Sequence, residues 1–232
     1  MKNTNFVLFG LTHWAILISI PLLAWLFAQL AHRLSIPART GIRVALGGLL
    51  MINELIWYVF KARHNSWQFP GTLPLQLCDV ILWMTVIAML LKVQWAFEFA
   101  FLAGLVGTSM AIITPDLWEP FPTYPTVYFF LAHGGIVMCV LYLWWSREMR
   151  LLPGCVWRVL LSLNVYAAAL GVFNWIFQTN YMYLCRKPES ASVLDYLGPW
   201  PVYILGGELI GLLFFTLLWL PFRRQSVEAG TR

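Results

Sequence analysis

Long apolar runs, closed by prolines, glycines and small clusters of charge, divide the chain into seven segments: about 8 to 31, 42 to 60, 74 to 91, 96 to 114, 124 to 145, 156 to 178 and 200 to 220. Each reaches or approaches the length of roughly 18 to 22 residues that carries a helix across about 30 Å of hydrocarbon. A membrane barrel would show short alternating strands instead. The pattern therefore predicts an all-α membrane protein built as a seven-transmembrane-helix bundle. Segment 96 to 114 is barely long enough and is rich in small residues: Ala103, Gly104, Gly107, Ser109 and Ala111. That composition predicts close packing inside the protein over lipid contact. The first run lacks a small-residue cleavage site and reads as a spanning helix, not a removed signal peptide. The loops are too short to fold alone, so residues 1–232 read as one polytopic domain without repeats.

Composition agrees with this. With 60% hydrophobic and 11% charged residues, and a mean hydropathy of +0.73, the apolar surface exceeds what a soluble core would hide. The net charge of +5 lies in short loops and reports orientation, not nucleic-acid binding. With seven spans, Lys2, Lys61, Arg63, Arg186 and Lys187 share one side, and the other ten of the 15 Lys and Arg residues share the opposite side. The positive-inside tendency then puts the N-terminus outside and the C-terminus in the cytoplasm. Cys78, Cys139, Cys155 and Cys185 are scattered without CxxC spacing, which argues against a zinc knuckle or a disulfide framework. No cofactor or resident metal is expected.

Several polar residues interrupt the apolar runs at similar depth. Cys78 and Asp79 lie four or five residues into the third segment, and Glu54 lies about six residues from the outer end of the second, beside Asn53. His133 and Glu208 fall near the middle of the fifth and seventh, and His13 in the outer part of the first. Asn174 and Gln178 close the sixth, four residues apart and so on one helical face. All share the outer half, which predicts a cavity open to the outer side. Ionisable groups at membrane depth mark function by default.

The chemistry this set allows is acyl transfer. A thiolate is the nucleophilic form of cysteine, and an imidazole can take its proton, which makes Cys78 and His133 the candidate catalytic pair. Asn174 or Gln178 offers amide donors to an oxyanion, and Asp79 or Glu208 can orient the histidine. Gly134 and Gly135 leave room for a helix or substrate beside His133. The plainer readings are a packing cysteine and a histidine that hydrogen-bonds between helices. Two other functions compete. One is a zinc-dependent lipid hydrolase using His13, His64 and His133 with Asp79 or a glutamate, although no HxxxH pair exists. The other is a transporter or receptor-like bundle with Glu54, Asp79, His133 and Glu208 as a proton or ligand site, although no inverted repeat is visible.

An ordered set of motifs carries a family resemblance. It runs from Phe6 to His13, through Glu54, Leu73-Pro74-Leu75-Gln76-Leu77-Cys78-Asp79, Thr114-Pro115-Asp116, Phe121-Pro122 and His133-Gly134, to Asn180-Tyr181-Met182-Tyr183-Leu184 and Gly198-Pro199-Trp200-Pro201. Over nearly the whole chain this resembles the bacterial YwaF-like integral membrane proteins. That group is similar in turn to the eukaryotic transmembrane protein 164 family, described as cysteine-dependent acyltransferases acting on lysophospholipids. The resemblance implies a multi-pass protein of the bacterial cytoplasmic membrane whose partners are lipids, an acyl donor and a lysolipid acceptor. It also implies that Cys78 carries the acyl group and His133 assists. Beside the cysteine this chain has Asp79, where the eukaryotic branch has histidine.

Overall fold

The computed structural model describes residues 6–117, 119–189 and 192–223. Lys2, Arg224 and Arg232, which entered the charge comparison, lie outside them. The described residues form seven helices and no strand. These are α1 (Leu11–Arg33), α2 (Ile36–Arg63), α3 (Leu77–Leu91), α4 (Gln94–Ile113), α5 (Tyr124–Trp145), α6 (Cys155–Phe177) and α7 (Val202–Trp219). All but α3 are long and apolar enough to cross a membrane, which makes six candidate spans among the described residues.

At 15 residues, α3 rises only about 22 Å, short of the hydrocarbon thickness. The reason lies at its start. Leu75 N–H bonds to the Leu73 carbonyl at 2.8 Å in a tight turn around Pro74, and the Leu75 carbonyl accepts the Tyr166 hydroxyl at 2.8 Å. The helix begins only at Leu77, so Cys78 occupies its first turn instead of lying a turn inside.

Helix α2 is longer than its apolar run. It starts with Pro37 in the first turn, where a missing N–H costs nothing, and ends with Lys61 and Arg63 at the negative pole of its dipole. Helix α5 starts on a capping box, in which Thr126 Oγ1 accepts the Thr123 N–H at 3.0 Å.

Contacts divide the chain into two compact units, Met1–His64 with Ile81–Arg150, and Asn65–Val80 with Leu151–Arg232. In the first unit α5 packs on α1, α2 and α4, around Ile20, Ile112, Leu117, Phe130 and Val137. Two of the small residues of α4 act as expected, since Ala103 and Gly104 are buried and a Cβ on Gly104 would sit 3.0 Å from Ile81 Cγ2, whereas Gly107 is exposed with open space beside it and Ser109 and Ala111 are half-buried. Most of α4 and α5 is buried, 61% and 56% of their apolar windows, against 11% to 28% for the other four spans. A π-helical turn, Ala100–Gly104, interrupts α4.

One end of this unit holds a buried charge cluster that corrects the expectation of polar groups in one half only. Glu148 meets Arg43 Nε at 3.0 Å, Arg39 Nε at 3.2 Å and Lys92 Nζ at 3.5 Å, and accepts the Tyr142 hydroxyl at 3.1 Å. Arg43 also donates to the Met89 carbonyl. Glu98 is buried in the first turns of α4, where its Oε1 accepts Gln94 Nε2 at 2.9 Å. Arg43 and Glu98 lie at the helix ends opposite Glu54.

In the second unit α6 packs on α7. The segment after α6 carries a short 3-10 turn, Val193–Leu197, capped reciprocally by Ser192 and Asp195. Gly206 of α7 lets Leu197 approach, since a Cβ there would lie 3.2 Å from Leu197 Cβ.

Candidate functional site

The second unit assembles a polar constellation around the approach to Cys78. The half-buried Cys78 forms no disulfide and sits in the first turn of α3, where helix amides have no partner within the helix. Asp79, next to it, turns back to accept the Gln76 N–H on Oδ2 at 3.0 Å. Its carboxylate therefore caps the helix at the positive pole of the dipole.

The segment from Pro70 to Gln76 is clamped from two sides. Tyr181 donates its hydroxyl to the Pro70 carbonyl at 2.7 Å and accepts the Leu73 N–H at 2.8 Å. Tyr166 of α6 holds the Leu75 carbonyl, and its hydroxyl lies within electrostatic reach of both Asp79 and Cys78. Gln76 Oε1 accepts the Met182 N–H at 3.1 Å. Burial pushes the Tyr181 phenol above its ordinary value of 10.0; the Leu73 N–H pulls it down and the Asp79 charge adds to the rise.

Tyr181 is itself anchored. Asn174 donates Nδ2 to the Tyr181 carbonyl at 3.0 Å, while its Oδ1 accepts the Tyr181 N–H at 2.9 Å and the Thr179 hydroxyl at 2.7 Å. The amide sequence reasoning assigned to an oxyanion is thus spent on shaping this turn. The turn is strained, with Gln178, Met182 and Tyr183 all at φ 54. Left-handed backbone at residues with side chains persists only where surroundings enforce it.

Gln178 departs from the prediction. It lies beyond the last turn of α6 as an exposed left-handed cap, with Nε2 donating to the Trp175 carbonyl at 2.7 Å, so it does not share the face of Asn174. Glu208 is half-buried in α7 and has no hydrogen bond or ion pair among the described residues. Sequence reasoning missed Tyr166 and Tyr181; the only available signal was the Asn180–Leu184 motif containing Tyr181.

In the first unit the predicted residues are held separately. His13 is fully buried, with Nδ1 taking the Phe9 N–H at 2.9 Å and Nε2 facing the Ile112 carbonyl at 2.8 Å. A carbonyl only accepts, so Nε2 carries the hydrogen and both nitrogens are occupied. Glu54 is fully buried and accepts the Tyr128 hydroxyl on Oε2 at 2.6 Å, leaving Oε1 without a partner. His133 is half-buried; its Nδ1 faces the Phe129 carbonyl at 2.9 Å, which fixes the hydrogen there and leaves Nε2 as the basic nitrogen. His64 is exposed and bonds to the Phe60 carbonyl. The described residues contain no group of three His, Cys, Asp or Glu side chains placed to hold a metal ion.

Six apolar helices long enough to span a bilayer define an integral, multi-pass membrane protein, and its exposed apolar helix faces meet lipid. The chain belongs to the TMEM164 family, which matches it over residues 8–219. No curated protein and no solved structure gives a significant match.

Proposed function

We propose that this protein is a cysteine-dependent lipid acyltransferase embedded in the cytoplasmic membrane of a bacterium, in the YwaF-like branch of its family. On this reading residues 1–232 act as one polytopic domain, α3 is the third of seven crossings, and the N-terminus lies outside. The Cys78 thiolate attacks the ester carbonyl of a donor lipid. The carbonyl carbon gains a C–S bond and loses its C–O bond, and the released lysolipid alkoxide takes a proton. A lysolipid hydroxyl then attacks the thioester, restoring the ester and the thiol. Water in place of the lysolipid gives hydrolysis.

The observation that carries this reading is the placement of the Cys78 thiol in the first turn of α3, on a backbone fixed by Tyr166, Tyr181 and Gln76. The positive pole of a helix N-terminus favours an anion, whether a thiolate or the oxyanion of the tetrahedral intermediate. His133 is the candidate base on the strength of its tautomer alone. Asp79 serves as the cap of α3 and Asn174 as the anchor of the Tyr181 turn. Glu54, Gln178 and His13 take supporting structural roles.

The test is incubation of purified protein with a phospholipid labelled in its acyl chain, followed by peptide mass spectrometry. A hydroxylamine-sensitive acyl adduct on Cys78, absent from Cys78→Ala and strongly reduced in His133→Gln, is expected. Lipid turnover unchanged in Cys78→Ala overturns the proposal.

A further inference from the structure

The end of the first unit that holds Glu148 carries more positive charge than its carboxylates balance. Arg33, Arg39, Arg43, Lys92, Arg147 and Arg150 all fall at this end, against Glu98 and Glu148 alone among the described residues. Arg43, Arg39 and Lys92 already share Glu148, at 3.0, 3.2 and 3.5 Å, and Glu98 is fully buried. No anion is left for the others.

Two of those others are held in place beside the cluster. Arg39 donates to the Ser146 carbonyl, next to Arg147, and Gln94 Nε2 donates to the Arg150 carbonyl at 2.8 Å, so the chain that carries both arginines is tied to the segments of Arg39 and Lys92. Arg147 and Arg150 are exposed, and neither guanidinium has a hydrogen bond or ion pair among the described residues. Arg147 follows the cap of α5 with φ 59, a left-handed conformation that glycine adopts without strain. Free guanidinium groups present paired N–H donors that match phosphate oxygens.

The apolar neighbours point to where the anion comes from. Ile36, Leu91 and Trp95, each within three residues of Arg39 or Lys92, are 83%, 70% and 43% exposed. Charge beside exposed apolar and aromatic side chains at helix ends marks the membrane–water boundary. An anion that carries its own hydrocarbon covers both kinds of surface, whereas a soluble anion meets only the charge.

We propose that this end of the first unit binds the phosphate of one anionic membrane phospholipid, held by Arg147 and Arg150 in the field of Arg39 and Lys92, with its acyl chains on the adjoining apolar surface. The site uses no group of the thiol chemistry and goes beyond that reading.

The test is native mass spectrometry of the delipidated full chain in detergent, titrated with phosphatidylglycerol or with phosphatidylcholine of the same acyl chains. One phosphatidylglycerol should bind saturably and roughly tenfold more tightly than phosphatidylcholine, and it should raise the melting temperature. Arg147→Gln weakens phosphatidylglycerol by about fivefold, the loss expected for one cation at a membrane surface. Arg147→Gln combined with Arg150→Gln removes the preference over phosphatidylcholine; both side chains are exposed and unpartnered, and the melting curve of each variant without lipid verifies its fold. Arg63→Gln, at the opposite end of α2, keeps the preference. A preference that survives the double variant, falls equally in Arg63→Gln, or spreads over many equivalent lipids without saturation is diffuse charge attraction and overturns the proposal. Glycerol phosphate should compete poorly; competition equal to that of phosphatidylglycerol makes this a free-phosphate site and overturns the lipid assignment.

Discussion

Tyr166 donates its phenol to the carbonyl of Leu75 at 2.8 Å, three residues ahead of Cys78. A hydroxyl from α6 thereby sets where α3 starts, and with it the position of the thiol in the first turn. Tyr166→Phe leaves the half-buried Leu75 carbonyl without this donor, a cost of about 1–3 kcal/mol. The purified variant should melt at a lower temperature than wild type. It should also alkylate at Cys78 at a different rate under native conditions, since Tyr166 positions the thiol's backbone. A variant that melts lower but alkylates as wild type would reduce Tyr166 to a stabilising contact.

Tyr181 makes the same clamp sensitive to alkali. Its phenol must keep its proton to donate to Pro70, and burial raises it above the ordinary 10.0. Between the unfolded and folded values the native state holds the extra proton, so stability falls as pH climbs. The contribution is complete below about pH 10 and is lost as pH rises through the folded value. Thermal unfolding of wild type and Tyr181→Phe over alkaline pH should show a constant difference up to about pH 10 that shrinks above it. Parallel curves across that range would contradict the assignment.

Hydropathy made the helices legible, and the small residues Ala103 and Gly104 correctly placed α4 in the interior, because length and residue size act locally. The partners of the polar residues were not legible. Tyr128, Tyr166 and Tyr181 carry no charge and read in sequence as apolar aromatics, yet their hydroxyls hold Glu54, Leu75 and Pro70. Helical spacing put Gln178 beside Asn174, but the helix ends at Phe177 and the left-handed cap breaks the register. Arg39, Arg43 and Lys92 were read as markers of orientation; they surround Glu148 because a buried carboxylate gathers whichever cations the helix ends supply.

Asp79 has two separable effects. It accepts the Gln76 N–H, so Asp79→Ala should lose about 0.5–2 kcal/mol of helix capping, while Asp79→Asn keeps an acceptor and loses only the charge. Removing a negative charge beside a thiol favours the thiolate, so Asp79→Asn should alkylate faster at Cys78 at neutral pH while melting close to wild type. Slower alkylation in Asp79→Asn would show that the carboxylate assists the thiol instead of restraining it.

The Glu148 cluster gives the sharpest stability contrast. Glu148 and Arg43 are almost fully buried, with side-chain exposures of 6% and 7%, whereas Lys92 is 45% exposed. Glu148→Ala strands the Arg43 guanidinium without its anion and should cost about 3–5 kcal/mol. Lys92→Ala removes a solvated partner and should cost about 0–1 kcal/mol. The double variant Arg43→Met, Glu148→Met removes both buried charges and should recover much of the loss, because the desolvation cost of both ions disappears with their attraction. Recovery should be incomplete, since the Met89 carbonyl loses the donor Arg43 supplied. Melting temperatures of the four proteins in one detergent decide this. Equal losses for Glu148→Ala and Lys92→Ala would mean that water reaches the cluster, and the buried anion would then not be what joins the ends of α2, α3 and α5.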